Sequence, residues 1–502
     1  MRAAGFTRQE IDTELFQNKF FPAPELQKFQ QIKPGSTVAD TIYSLRTEDP
    51  QHPPLYFLMA RQWMQWFGGS LTASRSLPAF LSLLSLPLMY GLAMELFAFR
   101  LAALLSTALL ALSPFDILFA QTARQYGLLT TIVIGSSWLL VRAVRRSTWQ
   151  HWGLYALSVA IGLYTHPFFA LTVVGQGAYV LLMSLAQKQD SDPEGIAEPQ
   201  LRRTLSATFL PWAWRLRSPV YFVSAIAIAL ILYIPWILVL LDNHQRASAT
   251  TDWTRASVGI LYLLKLWTLS FTSLFIDLDF GFENPVTYLL RSPFVLLIFA
   301  AGYVVYRRTP KAAGLFVLTS VLVPFLLLAI PDVVIGGKRS AVSRYLISCY
   351  PGIQLAVAYF LSVGLSTGKQ LYRWILAIVF TSSLISITAS AQAESWWSKD
   401  LSYFNARVVH LVNAEAENTS PVLASNTGND FTNMGDLLSL SYKLKENVRI
   451  YGISQSPDLE PLHTEPNVLL FRATKELEDV IIQQGWKIES VSDPGRLRRL
   501  IQ

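Results

Sequence analysis

Residues 220–241, VYFVSAIAIALILYIPWILVLL, run from end to end without a single charge. Wound as a helix, such a stretch is long enough to cross roughly 30 Å of hydrocarbon. Seven further segments share its character, at 79–97, 101–118, 127–144, 286–306, 312–330, 346–363 and 374–389. Two shorter apolar stretches, 152–164 and 167–183, break at Thr165-His166-Pro167 and read as a tight transmembrane hairpin. Together they predict about ten spans. The composition agrees: 52% hydrophobic and only 15% charged residues require a bilayer around much of the chain.

The charges divide by side. Arg142, Arg145 and Arg146 follow one span, Arg202, Arg203, Arg215 and Arg217 sit in a polar loop at 187–217, and Arg307, Arg308, Lys311, Lys369 and Arg373 lie in later short loops. The positive-inside rule assigns all of these to the cytoplasm. The net charge of +7 therefore serves topology, and the sequence is read as binding no nucleic acid. The opposite loops hold the chemistry: Arg124 and Tyr126, His166, the segment 242–285, and Lys338, Arg339, Arg344 and Tyr345. Within 242–285, residues 260–278 read as a helix lying in the external interface.

After residue 393 the composition turns mixed and polar. Short β-type runs at 421–424, 447–453 and 467–472 alternate with helical patterns such as 474–484, so 394–502 is expected to form a small extracytoplasmic α/β domain. Residues 425–436, rich in Asn, Gly and Asp, suit a sugar-binding loop or an ordinary strand-to-helix turn. The fold class is an α-helical polytopic membrane protein carrying this domain. Its expected divisions are 1–74 as a partial first external loop, 75–393 as the transmembrane domain and 394–502. The single cysteine, Cys349, sits in an apolar segment, so no disulfide framework or cysteine metal site is expected.

The tightest motif is Thr47-Glu48-Asp49-Pro50-Gln51-His52-Pro53-Pro54-Leu55-Tyr56, two acids and an imidazole followed by prolines and an aromatic helix start. Rigid prolines would fix the cluster at the membrane surface, where Glu48 or Asp49 could act as base and His52 could contact phosphate or metal. The same residues are normal helix-start chemistry, and spacing leaves the two readings even. Arg124 beside Tyr126, at a helix mouth, can grip a lipid phosphate or can simply snorkel to the headgroups. Lys338, Arg339 and Arg344 run against the orientation rule, which favours a specific anionic partner. An interfacial cluster of cations and aromatics suits a substrate with a phosphate head and a long apolar tail.

At these residues the chain resembles the GT-C membrane glycosyltransferases, especially the bacterial branch related to protein O-mannosyltransferases and aminoarabinose transferases. The resemblance is carried by Asp49 with His52-Pro53-Pro54-Leu55-Tyr56, by Ala73-Ser74-Arg75-Ser76-Leu77-Pro78, Leu112-Ser113-Pro114 and Ala123-Arg124-Gln125-Tyr126, and by Leu163-Tyr164-Thr165-His166 and Ser343-Arg344-Tyr345-Leu346. It implies transfer of a sugar, with inversion, from a polyprenyl-phosphate donor to a lipid, protein or polysaccharide acceptor at the external face of the cytoplasmic membrane. It further implies that Arg124, Tyr126, Arg339, Arg344, Tyr345, His52 and His166 contact the donor phosphate. Asp49 and Glu48 would be catalytic, and a divalent ion, held by Asp49 and His52, would be the one cofactor.

One departure accompanies the match. These enzymes carry an acidic pair early in the first external loop, after a first helix, and Asp12, Glu14 and Asp40 lack that context. An even number of spans, with the loop charges inside, also places residues 1–74 outside with no apolar segment to carry them there. The sequence is therefore expected to lack a first transmembrane helix, an N-out insertion or a miscounted span being the alternatives. Weak or absent transferase activity is expected for this chain. A flippase for lipid-linked sugars or an inactive lipid-binding fragment are the competing readings; spans almost free of charge speak against the flippase.

Overall fold

A computed structural model of the protein describes residues 1–189, 213–492 and 496–501. The polar loop read at 187–217 lies for the most part outside the described residues. The chain forms two compact units: residues 50–56 with 75–391, and residues 1–49 with 57–74 and 392–502.

The first unit is helical throughout, and each of the ten apolar segments becomes a helix or helix pair. Their cores are Leu71–Leu83 running into Ser85–Phe97, Arg100–Ala111 with Pro114–Ala120, Tyr126–Arg146, Trp149–Thr165, Phe169–Gln189, Ala213–Asp242, Pro285–Arg308, Lys311–Val334, Tyr350–Ser366 and Gln370–Gln392. Among the described residues seven helices are long and apolar enough to cross a membrane, or eight if one bent pair is a single span, where the sequence predicted about ten. The difference lies in Trp149–Thr165 and Tyr350–Ser366, each 17 residues. That is short of the roughly 20 residues a span needs. Tyr350–Ser366 is buried along most of its length, so neighbouring helices supply its apolar surroundings. The segment 260–278 yields the helix Ile260–Thr272.

Local chemistry sets the breaks. At Leu112-Ser113-Pro114 the Ser113 hydroxyl accepts the Asp116 amide at 3.3 Å and Pro114 opens the next helix, which turns by 55°. Inside the bundle, polar side chains tie helix to helix. The Tyr155 hydroxyl donates to Gln176 at 2.8 Å, the Gln176 amide reaches Ser136 and Ser137 at 3.2 and 3.3 Å, and Thr172 bonds Ser348 at 2.8 Å.

The helices are less free of charge than the sequence reading supposed. Arg291, within Pro285–Arg308, is buried and pairs with buried Asp277 at 2.9 Å while donating to the carbonyls of Ile276 and Leu278. Asp116 is half-buried beside Gln354, whose amide donates to it at 2.9 Å. Every one of these charges is hydrogen-bonded, which is what makes burial tolerable.

The second unit is an α/β fold around a six-stranded sheet. Its strands are β1 (Lys19–Pro22), β2 (Val422–Asn426), β3 (Arg449–Ile453), β4 (Val468–Phe471), β5 (Lys487–Ser492) and β6 (Leu497–Ile501), in spatial order β1-β3-β2-β4-β6-β5. β3, β2 and β4 are parallel; β1 joins β3 antiparallel with Lys19 opposite Gly452, and β6 joins β4 antiparallel. One face is covered by Ile11, Leu15, Leu26 and Phe29 together with Val408, Val412, Leu437 and Leu438, all packed on Leu423, Ile450 and Leu469. Leu459, Leu462, Leu477, Ile481 and Trp486 cover the other. The N-terminal segment, expected to stand apart from 394–502, thus supplies a strand and a layer of the same sheet.

Candidate functional site

The helical unit gathers most of the predicted phosphate-binding residues into one cluster. Pro53 and Pro54 are buried and lead into the helix Leu55–Phe67, leaving His52 half-buried at its mouth. The His52 ring stands edge-on to the ring of His166, centroids 6.3 Å apart. His166 ends the helix Trp149–Thr165 and stacks on Phe168 at 5.4 Å, and Phe168 meets Tyr345 at 4.2 Å. Tyr126, at the start of its helix, lies 6.0 Å from His166 and packs edge-on against Phe119.

Around these rings stand the cations. The Arg344 guanidinium lies 5.5 Å from the Tyr345 ring and 5.8 Å from the Trp253 ring, with Lys338 5.3 Å from Trp253 on its own approach. Trp253 is therefore an aromatic post shared by two cations, a contact that orients each without neutralising it. Arg124 is exposed, and its guanidinium makes no hydrogen bond or ion pair among the described residues. Neither Lys338 nor Arg344 has a carboxylate within ion-pair distance among those residues. Three cations without a carboxylate partner among the described residues, two of them over the exposed Trp253 ring, give this part of the helical unit a positive character suited to an anion.

Arg339 has a different place. It pairs with buried Asp332 at 3.4 Å, and the second Asp332 oxygen accepts the Ser340 amide at 2.6 Å and hydroxyl at 2.7 Å. A Cβ on Gly337 would fall 2.6 Å from Asp332 Oδ1, and Gly337 has a φ of 142°, so only glycine fits beside this anchor. The Asp332 network holds the Lys338–Tyr345 segment in place.

His166 is buried, and its Nδ1 accepts the Phe168 amide at 3.1 Å, which leaves Nε2 to carry the proton. Burial, followed by the neighbouring His52 and Arg344 charges, pushes its pKa down to about 3. His166 is therefore a neutral hydrogen-bond donor rather than a third positive charge. Burial raises the Tyr345 phenol, with Arg344 offsetting part of the effect.

Glu48 and Asp49 belong to the sheet-bearing unit and are engaged there. Glu48 is bonded by Arg2 and accepts the Arg8 and Gln9 amides at 2.7 and 3.2 Å, binding the open start of the helix Arg8–Leu15. Asp49 lies 3.7 Å from Arg2 and 3.6 Å from Arg8. The sequence motif put these acids and His52 in one cluster; the structure gives the acids an ion-pair network of their own. Among the described residues, no group of three His, Cys, Asp or Glu side chains could hold a metal ion.

Sequence reasoning passed over Phe168 and Trp253. Neither belongs to a motif, although Phe168 directly follows the Thr165-His166-Pro167 break and Trp253 falls in the segment 242–285.

Comparison with known proteins yields a family model described as dolichyl-phosphate-mannose-protein mannosyltransferase, matching residues 51–190. No curated protein matches in sequence. Among solved structures, ArnT from Cupriavidus metallidurans bound to undecaprenyl phosphate is 12% identical, with 90% of this chain and 88% of that chain covered at a TM-score of 0.51. The apo ArnT structure gives 12% identity, 99% and 92% coverage and a TM-score of 0.50. At that identity, the likeness establishes a shared fold.

Proposed function

We propose, from the fold shared with ArnT and the family-model match over residues 51–190, that this chain is a GT-C-type membrane glycosyltransferase that moves a sugar from a polyprenyl-phosphate-linked donor to an acceptor at the external face of the plasma membrane. The observation that carries the reading is the set of unneutralised cations, Arg124, Lys338 and Arg344, standing among Tyr126, His166, Trp253 and Tyr345 in the helical unit. A phosphate held there is met by forked guanidinium donors and by the neutral His166 Nε2–H, while its polyprenyl tail remains in the bilayer. ArnT has been crystallised with undecaprenyl phosphate bound, and we extend that donor class to this chain.

Charge develops on the phosphate as the glycosidic bond breaks, and fixed cations stabilise that charge without having to reorganise. An acceptor hydroxyl would lose its proton to a carboxylate, a role that the resemblance gives to Asp49 or Glu48, which the structure pairs with Arg2 and Arg8. Among the described residues no three potential metal ligands come together, and no step is routed through a metal ion.

The same engaged carboxylates favour a second reading, a lipid-phosphate-binding protein that does not transfer. One experiment separates the two. Purified protein in lipid nanodiscs is titrated with undecaprenyl phosphate, then given a polyprenyl-phosphate sugar and an outer-envelope lipid acceptor. Binding that weakens at least about tenfold in Arg124→Ala and Arg344→Ala supports the phosphate site; unchanged binding removes it. Transfer abolished by Asp49→Asn in a stably folded variant supports the enzyme. Binding without transfer supports the second reading.

A further inference from the structure

We propose that the sheet-bearing unit holds its own binding site for a single neutral or amino-substituted sugar ring, at the carboxyl ends of β2 and β3. A cavity of about 250 Å³ opens there, lined by Asp12, Asn426, Thr427, Phe431, Ser454 and Gln455. β2 is the strand where the topology divides: β3 lies on one side of it and β4 on the other. The helix after β2, Thr432–Leu440, packs on one face of the sheet, and the helix after β4, Lys475–Gln483, packs on the other. Open parallel sheets bind ligands in the crevice outside the strand carboxyl ends, where connections part in this way.

The lining specifies the ligand. Asp12 is the only charged side chain among its described lining residues, and a carboxylate repels phosphate while accepting from hydroxyl or ammonium donors. Thr427 donates to Asp12 Oδ1, and Oδ2 has no partner among the described residues. Asn426, Ser454 and Gln455 add amide and hydroxyl groups that both donate and accept, as a ring of hydroxyls requires. Phe431 contributes an aromatic wall for the apolar face of the ring.

The backbone is held in a costly shape to form this wall. Phe431 has a φ of 59°, in the left-handed region that a bulky side chain rarely adopts. The buried Asn433 amide fixes the surrounding loop by donating to the carbonyls of Asn426 and Arg472 at 3.0 and 2.8 Å. The volume falls just below the range of drug-sized small-molecule pockets, roughly 300–1,000 Å³, and suits one ring.

This site is independent of the donor cluster, and its test uses no donor. Full-length protein in nanodiscs is titrated with methyl glucoside, with glucosamine and with glucose 1-phosphate, followed by saturation-transfer difference NMR. The expected result is saturable binding of glucoside or glucosamine, exclusion of the phosphate ester, and about tenfold weaker binding in Asp12→Asn, one charge-assisted hydrogen bond being lost. Phe431→Gly removes the aromatic wall and relieves the φ strain, so it should bind more weakly while melting at the same or a higher temperature. Gln455→Ala, at an exposed position, guards against a folding defect in the Asp12 variant and should also weaken binding. No saturable binding of either sugar, binding indifferent to all three substitutions, or preference for the phosphate ester would overturn the proposal.

Discussion

Arg344 and His166 occupy one cluster but act through different physics, and substitutions should separate them. Arg344 stands over Trp253 and Tyr345, and its planar fork can face a phosphate while the rings steady its other side. Arg344→Ala should weaken undecaprenyl phosphate binding by about 1.5–3 kcal/mol. Arg344→Lys should recover only part of this, because an ammonium keeps the charge and loses the fork. Both losses should shrink as salt is raised, readable by titration at two ionic strengths. His166 should show itself in stability. Its pKa in the folded protein, about 3, lies below the ordinary 6.5, so unfolding takes up a proton between those values. Stability is then complete above about pH 6.5 and declines as pH falls toward 3. A thermal melt measured from pH 7 to pH 4.5 should drop less steeply in His166→Gln than in the parent; equal slopes would mean that His166 is not buried neutral. The arginines could be read from sequence because cations on that side of a membrane protein conflict with the charge rule. Trp253 and Phe168 could not, because their role exists only once distant helices meet. The partners of Glu48 could not be read from sequence for the same reason: Arg2 and the Arg8 and Gln9 amides lie 39 to 46 residues earlier in the chain.

The helices follow almost directly from the sequence, and the strands do so less. A long apolar run can satisfy its backbone in lipid only as a helix, so each segment of the first unit declared itself. Their ends depended on chemistry that composition does not reveal, such as the Ser113 cap, or the Asp332 anchor in the last turn of Lys311–Val334. That anchor gives a test. Gly337→Ala places a methyl 2.6 Å from Asp332 Oδ1 on a backbone at φ 142°, so the Asp332 bonds to Arg339 and Ser340 must give way. Undecaprenyl phosphate binding should fall although no phosphate contact is touched, and Asp332→Asn should produce a milder version of the same loss. Binding unchanged in Gly337→Ala would show that Lys338 and Arg344 do not depend on the anchor. β1 was the element that sequence could not supply: four residues, KFFP, ending in a proline, whose partner strand lies at the opposite end of the chain. Its pairing with β3 relies on Gly452, where an added Cβ would collide with the Leu15 carbonyl oxygen.

At the scale of the whole molecule, the decisive feature is that residues 1–49 and 392–502 form one cooperative unit although more than three hundred residues separate them. β1 covers one edge of the parallel strands, and Ile11, Leu15, Phe16, Leu26 and Phe29 close one face of the sheet. Burying side chains of this size contributes roughly 1.5–3 kcal/mol each, which together rivals the net stability of a typical domain. Deleting residues 1–48 would therefore expose the β3 edge and strip one core layer, both of which promote unfolding and edge-to-edge aggregation. The helical unit keeps its own interior, including the Gln176 network and the Arg291–Asp277 pair, and should survive the deletion. Limited proteolysis in detergent reads both outcomes at once. In the intact protein, residues 402–492 should be protected together with residues 1–48; in the deletion variant they should be digested rapidly while a large membrane-embedded fragment persists. Continued protection of the C-terminal segment would mean that the sheet folds without its first strand, and that the N-terminal residues decorate a domain they do not complete.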